Sequence, residues 1–165
     1  MFRLFETIND LEAGASSLVQ RRYGVIHVVD GEFKQVNLRP FPTRDWAFQS
    51  HWLGHWQHRF HVGDWCRLYY QQPRGFDNFL SLTYVVSGAQ ATFATFRRAV
   101  ETFDQIGVLK QVDALLCDAA NQRISARLLE RWGWEPHAPM AFARNYIKRL
   151  RQPFSWQSYA SDSAC

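Results

Sequence analysis

Apolar residues recur along this chain with two periods, about 3.6 and 2, and the points where one gives way to the other divide it into elements. Leu4, Ile8, Leu11, Ala15 and Leu18 fall at three- and four-residue intervals, and Thr7 followed by Asp10 resembles a helix-starting cap. An amphipathic helix is therefore predicted over about 7–22, ended by Gly24. Residues 25–29 and 32–39 read as strands around Asp30 and Gly31, a dipeptide that tolerates positive φ and so predicts a tight hairpin. Pro40 and Pro42 stop the second strand, and Thr43 with Asp45 caps a predicted helix running to about Phe60. On that helix Trp46, Trp52, Leu53, Trp56 and Phe60 share one side, while His51, His55 and His58 share roughly the opposite one.

Residues 65–72 and 79–86 are rich in strand formers and are separated by the turn residues Pro73, Arg74 and Gly75, so they are expected to pair antiparallel. Ser87 and Gly88 then open a helix whose apolar stripe is Phe93, Phe96, Val100 and Phe103 and whose end is Gly107. The apolar run 112–117 has the length of a strand covered on both faces. Asp118 and Asn121 offer capping oxygens to a further helix with Ile124, Leu128, Leu129 and Trp132 on one face, stopped by Gly133. A last strand is placed around 140–150. Strand, turn, helix, strand is a βαβ unit. The fold class is α/β (α+β), a mixed central sheet with helices on both faces.

Composition narrows the partners. At 165 residues the chain is read as one domain over 1–150 with a polar, Ser-rich tail over 151–165. Cys66, Cys117 and Cys165 are odd in number and widely spaced, which argues against a disulfide framework or a zinc knuckle and for a reducing, cytoplasmic setting. No stretch approaches a membrane span, and the first ten residues carry charges where a signal peptide is apolar. The net charge of +4 is spread along the chain, which suits an anionic ligand and is weak support for nucleic acid. Seven tryptophans imply either a well-filled core or a lined cleft.

The stretch N-Q-R-I-S-A-R-L-L-E-R-W-G-W-E-P, 121–136, is similar to the helix of the GNAT acyltransferase superfamily that begins near Asn and ends in a Gly-Phe pair, with Gly133 and Trp134 standing for that pair. N-Y-I-K-R-L, 145–150, looks like the family's closing strand, and about 78–150 resembles the family in its order of strand, helix, strand, helix, strand. The first half matches in element order alone. The resemblance implies an acyl-CoA-dependent N-acyltransferase acting on a small-molecule or peptide amine, with acetyl-CoA or another acyl-CoA as cosubstrate. It further implies that the parallel strands 79–86 and 112–117 splay apart at their C-terminal ends and hold the pantetheine arm in the V. Main-chain groups of Tyr84, Val85 and Val86 would pair with the arm. The pyrophosphate would meet N–H groups where Ser87, Gly88, Ala89 and Gln90 lead into the helix, and Asn121 with Ser125 would touch the CoA side of the second helix. Two departures stand out. The family's phosphate loop, Gln/Arg-x-x-Gly-x-Gly/Ala, keeps only its central glycine in 85–90, and Leu129 stands where many members carry the tyrosine that protonates the leaving thiolate.

Each candidate side chain has two readings. Cys117, at a strand end, is a leaving-group acid or acyl acceptor, or else a small buried hydrophobe. Asp118 is a general base for the amine, or a turn residue. His55, with His51, could deprotonate an amine through water, or belong to an exposed polar stripe. Gly88 is a phosphate-loop glycine or only a turn. Two other functions compete with catalysis: a catalytically lapsed GNAT-like binding or interaction module, and a histidine-stripe metal- or haem-binding protein. Imidazoles one turn apart can converge on an ion, but no carboxylate or cysteine joins them, and no residue is assigned as a metal ligand.

Overall fold

The hairpin expected around Asp30 and Gly31 forms, with φ of 53° and 74° at those residues, and it belongs to one mixed sheet. The structure is a computed structural model that describes residues 5–41, 63–118, 125–137 and 145–150. Its strands are β1 (Glu6–Ile8), β2 (Tyr23–Val29), β3 (Glu32–Arg39), β4 (Trp65–Gln71), β5 (Phe79–Ser87), β6 (Ala114–Asp118), β7 (Glu135–Pro136) and β8 (Asn145–Arg149). They lie in the order β1-β3-β2-β4-β5-β6-β8-β7, and the parallel neighbours are β5 and β6. The helices among the described residues are α1 (Ala15–Gln20), α2 (Phe93–Leu109) and α3 (Ala126–Arg131). The fold is thus mixed α/β, of the α+β kind.

The core lies between α2 and one face of the sheet. Phe103 and Ile106 of α2 are fully buried, as are Ile26, Val28, Val36, Leu68, Leu80 and Leu115 on the strands. Each such side chain contributes about 2 kcal/mol by leaving water. α1 joins this face through Lys110, whose ammonium donates to the carbonyls of Leu18, Val19 and Arg21. α3 joins it through Trp132, whose ring lies 5.6 Å from both Phe93 and Phe96. Both short helices thus contact α2. The predicted helix 43–60 lies outside the described residues, as do His51, His55, His58, the capping Asn121 and the tail 151–165.

Several boundaries differ from the sequence reading. The long first helix is a strand and a short helix: β1 pairs with β3, Ile8 opposite Val36, and the Asp10 carboxylate accepts the N–H groups of Glu12 and Ala13. That local turn competes with a continuous helix. Gly24 sits inside β2 and ends nothing; a Cβ there would run into the Tyr70 ring. Gly107 is likewise inside α2, where a Cβ would lie 2.7 Å from Leu115 and from Leu150, so it permits close packing of helix on sheet. The helix instead ends at Gln111, held at φ 54°, with Gln111 N–H on Val108 O and Val112 N–H on Gly107 O. α3 is capped by Ser125, which accepts the Leu128 N–H, and Asp118 is the last residue of β6. Its stop is as expected: Gly133 adopts φ 80°, and Trp134 N–H reaches Leu129 O. No helix among the described residues is long and apolar enough to cross a membrane.

Candidate functional site

β5 and β6 run together for only four residue pairs, from Phe79 opposite Ala114 to Leu82 opposite Cys117. Beyond that point β5 follows β4, with Tyr84 opposite Tyr69 and Ser87 opposite Cys66, while β6 follows β8 to Asp118 opposite Asn145. Thr83 sits at the divergence. The β4–β5 register steps from Leu82 opposite Tyr70 to Tyr84 opposite Tyr69, leaving Thr83 as an extra residue whose hydroxyl donates to Tyr69 O at 3.1 Å. Such a bulge bends its strand and raises the local twist. A cleft of about 400 Å³ opens there, lined by Ser81, Leu82, Thr83, Leu116, Cys117, Asp118, His137, Asn145 and Tyr146. Along its β5 wall, residues 83–87 have no strand partner on the β6 side among the described residues, which leaves backbone donors and acceptors on that side for an extended ligand.

Of the expected catalytic residues, the structure brings Cys117 and Asp118 to this cleft. Cys117 is 8% exposed, and burial, reinforced by the Asp118 carboxylate, pushes its thiol up to about 12. It is a neutral S–H near pH 7, a poor nucleophile and a reluctant proton donor. Asp118 is exposed at the end of β6. Sequence reasoning missed two further side chains. His137 follows β7, and its N–H donates to Asn145 O at 2.7 Å, which fixes the backbone that carries the imidazole at the rim. Tyr146 lies opposite Cys117 in β8, is 5% exposed, and lines the same cleft. Neither carries a local signal: one is a lone histidine after a proline, the other an aromatic in an ordinary strand. Leu129 is buried in the core, so α3 offers no proton donor from that position.

Among the expected cofactor-binding residues, Tyr84, Val85 and Val86 lie on the stretch of β5 beyond its pairing with β6. Ser87 is the last residue of that strand, and Gly88, Ala89 and Gln90 belong to a turn rather than to a helix. α2 begins later, behind Thr92, whose own donors are already engaged. The Asp64 carboxylate accepts the Thr92 N–H at 2.8 Å with one oxygen and the Thr92 hydroxyl at 2.8 Å with the other. Desolvation opposes its charge, but hydrogen bonds from Thr95 and Thr92 prevail and hold the carboxyl below its ordinary value. The same corner is tied by Asp30 N–H to Asp64 O and by Gly31 N–H to the Thr95 hydroxyl, both at 2.8 Å. Gly88 donates to Trp65 O at 2.9 Å, and a Cβ there would strike Gly63 O and lie 2.8 Å from the Trp65 indole nitrogen. Glycine is required at that position for packing. Ser125 is engaged as the cap of α3.

A second cavity of about 300 Å³ adjoins β2 and β4, between His27, Asp30, Asp64, Trp65 and Arg67. Burial, then the charges of Arg67 and Arg39, lower His27 from 6.5 to about 4, and its ring is hydrogen-bonded to the Asn37 amide at 3.0 Å. Among the described residues no three His, Cys, Asp or Glu side chains are grouped to hold a metal ion. Neither a family model, a curated protein nor a solved structure matches the chain.

Proposed function

We propose that this chain is a GNAT-like acyltransferase domain that moves an acyl group from a pantetheine thioester to an amine, in the cleft between β5 and β6. The observation that carries the reading is the divergence of two parallel neighbours after Leu82 and Cys117, which leaves residues 83–87, paired with β4 on one side, without a strand partner on the other among the described residues. A pantetheine arm is an extended chain with two amides, and it can pair with such an edge as an added strand would. The order strand, helix, strand, helix, then the short β7 and β8, from β5 onward supports the same reading. Two buried free thiols, Cys66 and Cys117, suit a cytoplasmic setting.

The chemistry asked of the side chains is modest. The amine nitrogen attacks the thioester carbonyl, a C–N bond forms and the C–S bond breaks. The proton lost by the amine passes to His137 or Asp118 at the rim, and the departing thiolate takes one from the Tyr146 hydroxyl or from water. Holding both reactants in one cleft supplies the larger part of the acceleration. Of the acyl-CoA molecule, the arm would lie along β5, and the diphosphate would meet the Asp64 carboxylate beside Thr92 as well as the N–H groups of the first turn of α2.

That carboxylate, with the buried Leu129, favours a second reading, a lapsed GNAT-like module that binds a partner without turnover. Thermal unfolding with saturating acetyl-CoA, followed by an assay over a panel of amines, separates the two. A ligand that binds only the folded chain must raise its Tm. An unchanged Tm removes the acyltransferase reading; a raised Tm without acyl transfer to any amine supports the lapsed module.

A further inference from the structure

We infer that the cavity between β2 and β4 is a second ligand site, separate from the cleft, and that it takes a small carboxylate borne on a ring-sized apolar body. The two cavities share no lining residue, so the site is independent of the acyltransferase reading. His27 and Arg67 are cross-strand partners in the β2–β4 pair, and Val29 and Trp65 are the next partners on the same side of the sheet. All four line the cavity, whose volume of about 300 Å³ is at the small end of those that hold a ligand.

The donor that His27 offers follows from the hydrogen bonds behind it. Asn37 Oδ1 accepts from the Thr7 hydroxyl and from the Gln35 amide, each at 3.1 Å, so the opposite end of the Asn37 amide is its donor. That NH2 group lies 3.0 Å from His27 Nε2, which therefore accepts, and the ring carries its proton on Nδ1. Burial and the charges of Arg67 and Arg39 keep the imidazole neutral at pH 7. Among the described residues His27 forms no other hydrogen bond, which leaves Nδ1–H as a free donor.

Arg67 brings the charge. Its guanidinium lies over the Trp65 ring, 5.2 Å from the centroid, and among the described residues it forms no ion pair. Stacking orients the guanidinium plane and leaves the N–H fork at its edge for a carboxylate. Two carboxylates line the same cavity, but Asp64 is held by Thr92 through both oxygens and Asp30 is exposed in the β2–β3 turn without an ion pair to Arg67. Inorganic phosphate would leave the Val29 and Trp65 wall uncovered, and a neutral ring would leave Arg67 without a counter-charge. A carboxylate on an apolar body satisfies both.

Benzoate is the probe, with benzamide and inorganic phosphate as controls for its two halves, each titrated into the full chain at pH 7 and followed by two-dimensional NMR. Benzoate should bind with a Kd of about 0.1–1 mM and move the signals of His27, Arg67 and the Trp65 indole, while those of Cys117 and Tyr146 in the cleft stay in place. Benzamide and phosphate should each bind at least about tenfold more weakly. Arg67→Ala changes an exposed side chain, so the rest of the amide spectrum should be kept while benzoate binding falls by about tenfold or more. Arg67→Lys, which keeps the charge and loses the fork, should fall between the two. No movement of these signals at about 10 mM benzoate, benzamide or phosphate binding as tightly as benzoate, or Arg67→Ala within about twofold of wild type each overturns the inference. The acetyl-CoA experiment, which tests the acyltransferase reading, is unaffected by any of these results.

Discussion

Lys110→Met isolates one contact that joins two distant parts of the chain. The ammonium, 8% exposed, sits at the end of α2 and donates its three protons to Leu18 O at 2.8 Å, Val19 O at 3.1 Å and Arg21 O at 3.0 Å. Those carbonyls belong to the last turn of α1, which has no donors of its own within the helix. Methionine keeps most of the volume and the apolar stem, so the loss is that of the hydrogen bonds. At a net ~1 kcal/mol each, three bonds come to about 3 kcal/mol, or a Tm lower by roughly 6–12 °C for a domain of this size. Circular dichroism melts of both proteins at pH 7 measure it. There is also a signature in pH. Burial, with the charge of Arg22, lowers Lys110 from 10.5 to about 8. Between those values the unfolded chain holds the proton and the folded chain does not, so stability contributed at this position rises with pH across the window. The Tm gap between wild type and variant should therefore widen from pH 8 to 10.5. A gap below about 3 °C at pH 7, flat with pH, would refute the reasoning and mean that water already serves those carbonyls.

Other outcomes follow from single positions. Among the described residues the buried Tyr70 hydroxyl has no partner, so Tyr70→Phe should raise stability by about 1 kcal/mol in urea denaturation. His27, lowered from 6.5 to about 4, is neutral in the folded chain, so the stability it contributes is present above 6.5 and lost as pH falls toward 4. His27→Gln, which keeps an amide for Asn37, should flatten that acid limb by on the order of 2 kcal/mol in melts across the same range. Cys117→Ala should leave acyl transfer within about threefold of wild type, because a neutral buried thiol does no proton or acyl chemistry, and a loss above about hundredfold in kcat would restore it as catalytic.

Elements announced by local chemistry were legible in the sequence. The β2–β3 hairpin followed from Asp30 and Gly31, the β4–β5 pair from its proline and glycine turn, and the end of α3 from Gly133. What was not legible depends on distant partners. Ile8 and Leu18 fit one helical stripe in the sequence, yet Ile8 is buried by pairing with β3 and Leu18 by packing near α2. Gly107 reads as a helix stop until Leu115 and Leu150 are seen against it, and the true stop, Gln111, is a residue type with no preference for positive φ. The cleft is half legible for the same reason. Cys117 and Asp118 were found because a strand end is a local feature, whereas His137 and Tyr146 reach the cleft only through the placement of β8 between β6 and β7. Asp64 at the start of α2 is 28 residues from Thr92, so nothing local signalled that its carboxylate would bond there.

The central claim is that the donor arm lies along residues 83–87 of β5, and amide hydrogen exchange with and without saturating acetyl-CoA tests it most directly. The account predicts added protection for alternate amides within 83–87, together with the cleft wall around Cys117, and none at Gly88, Ala91 or Thr92, whose N–H groups already have partners. Exchange at 83–87 that does not change on saturation, or protection that appears instead in the first turn of α2, would contradict it.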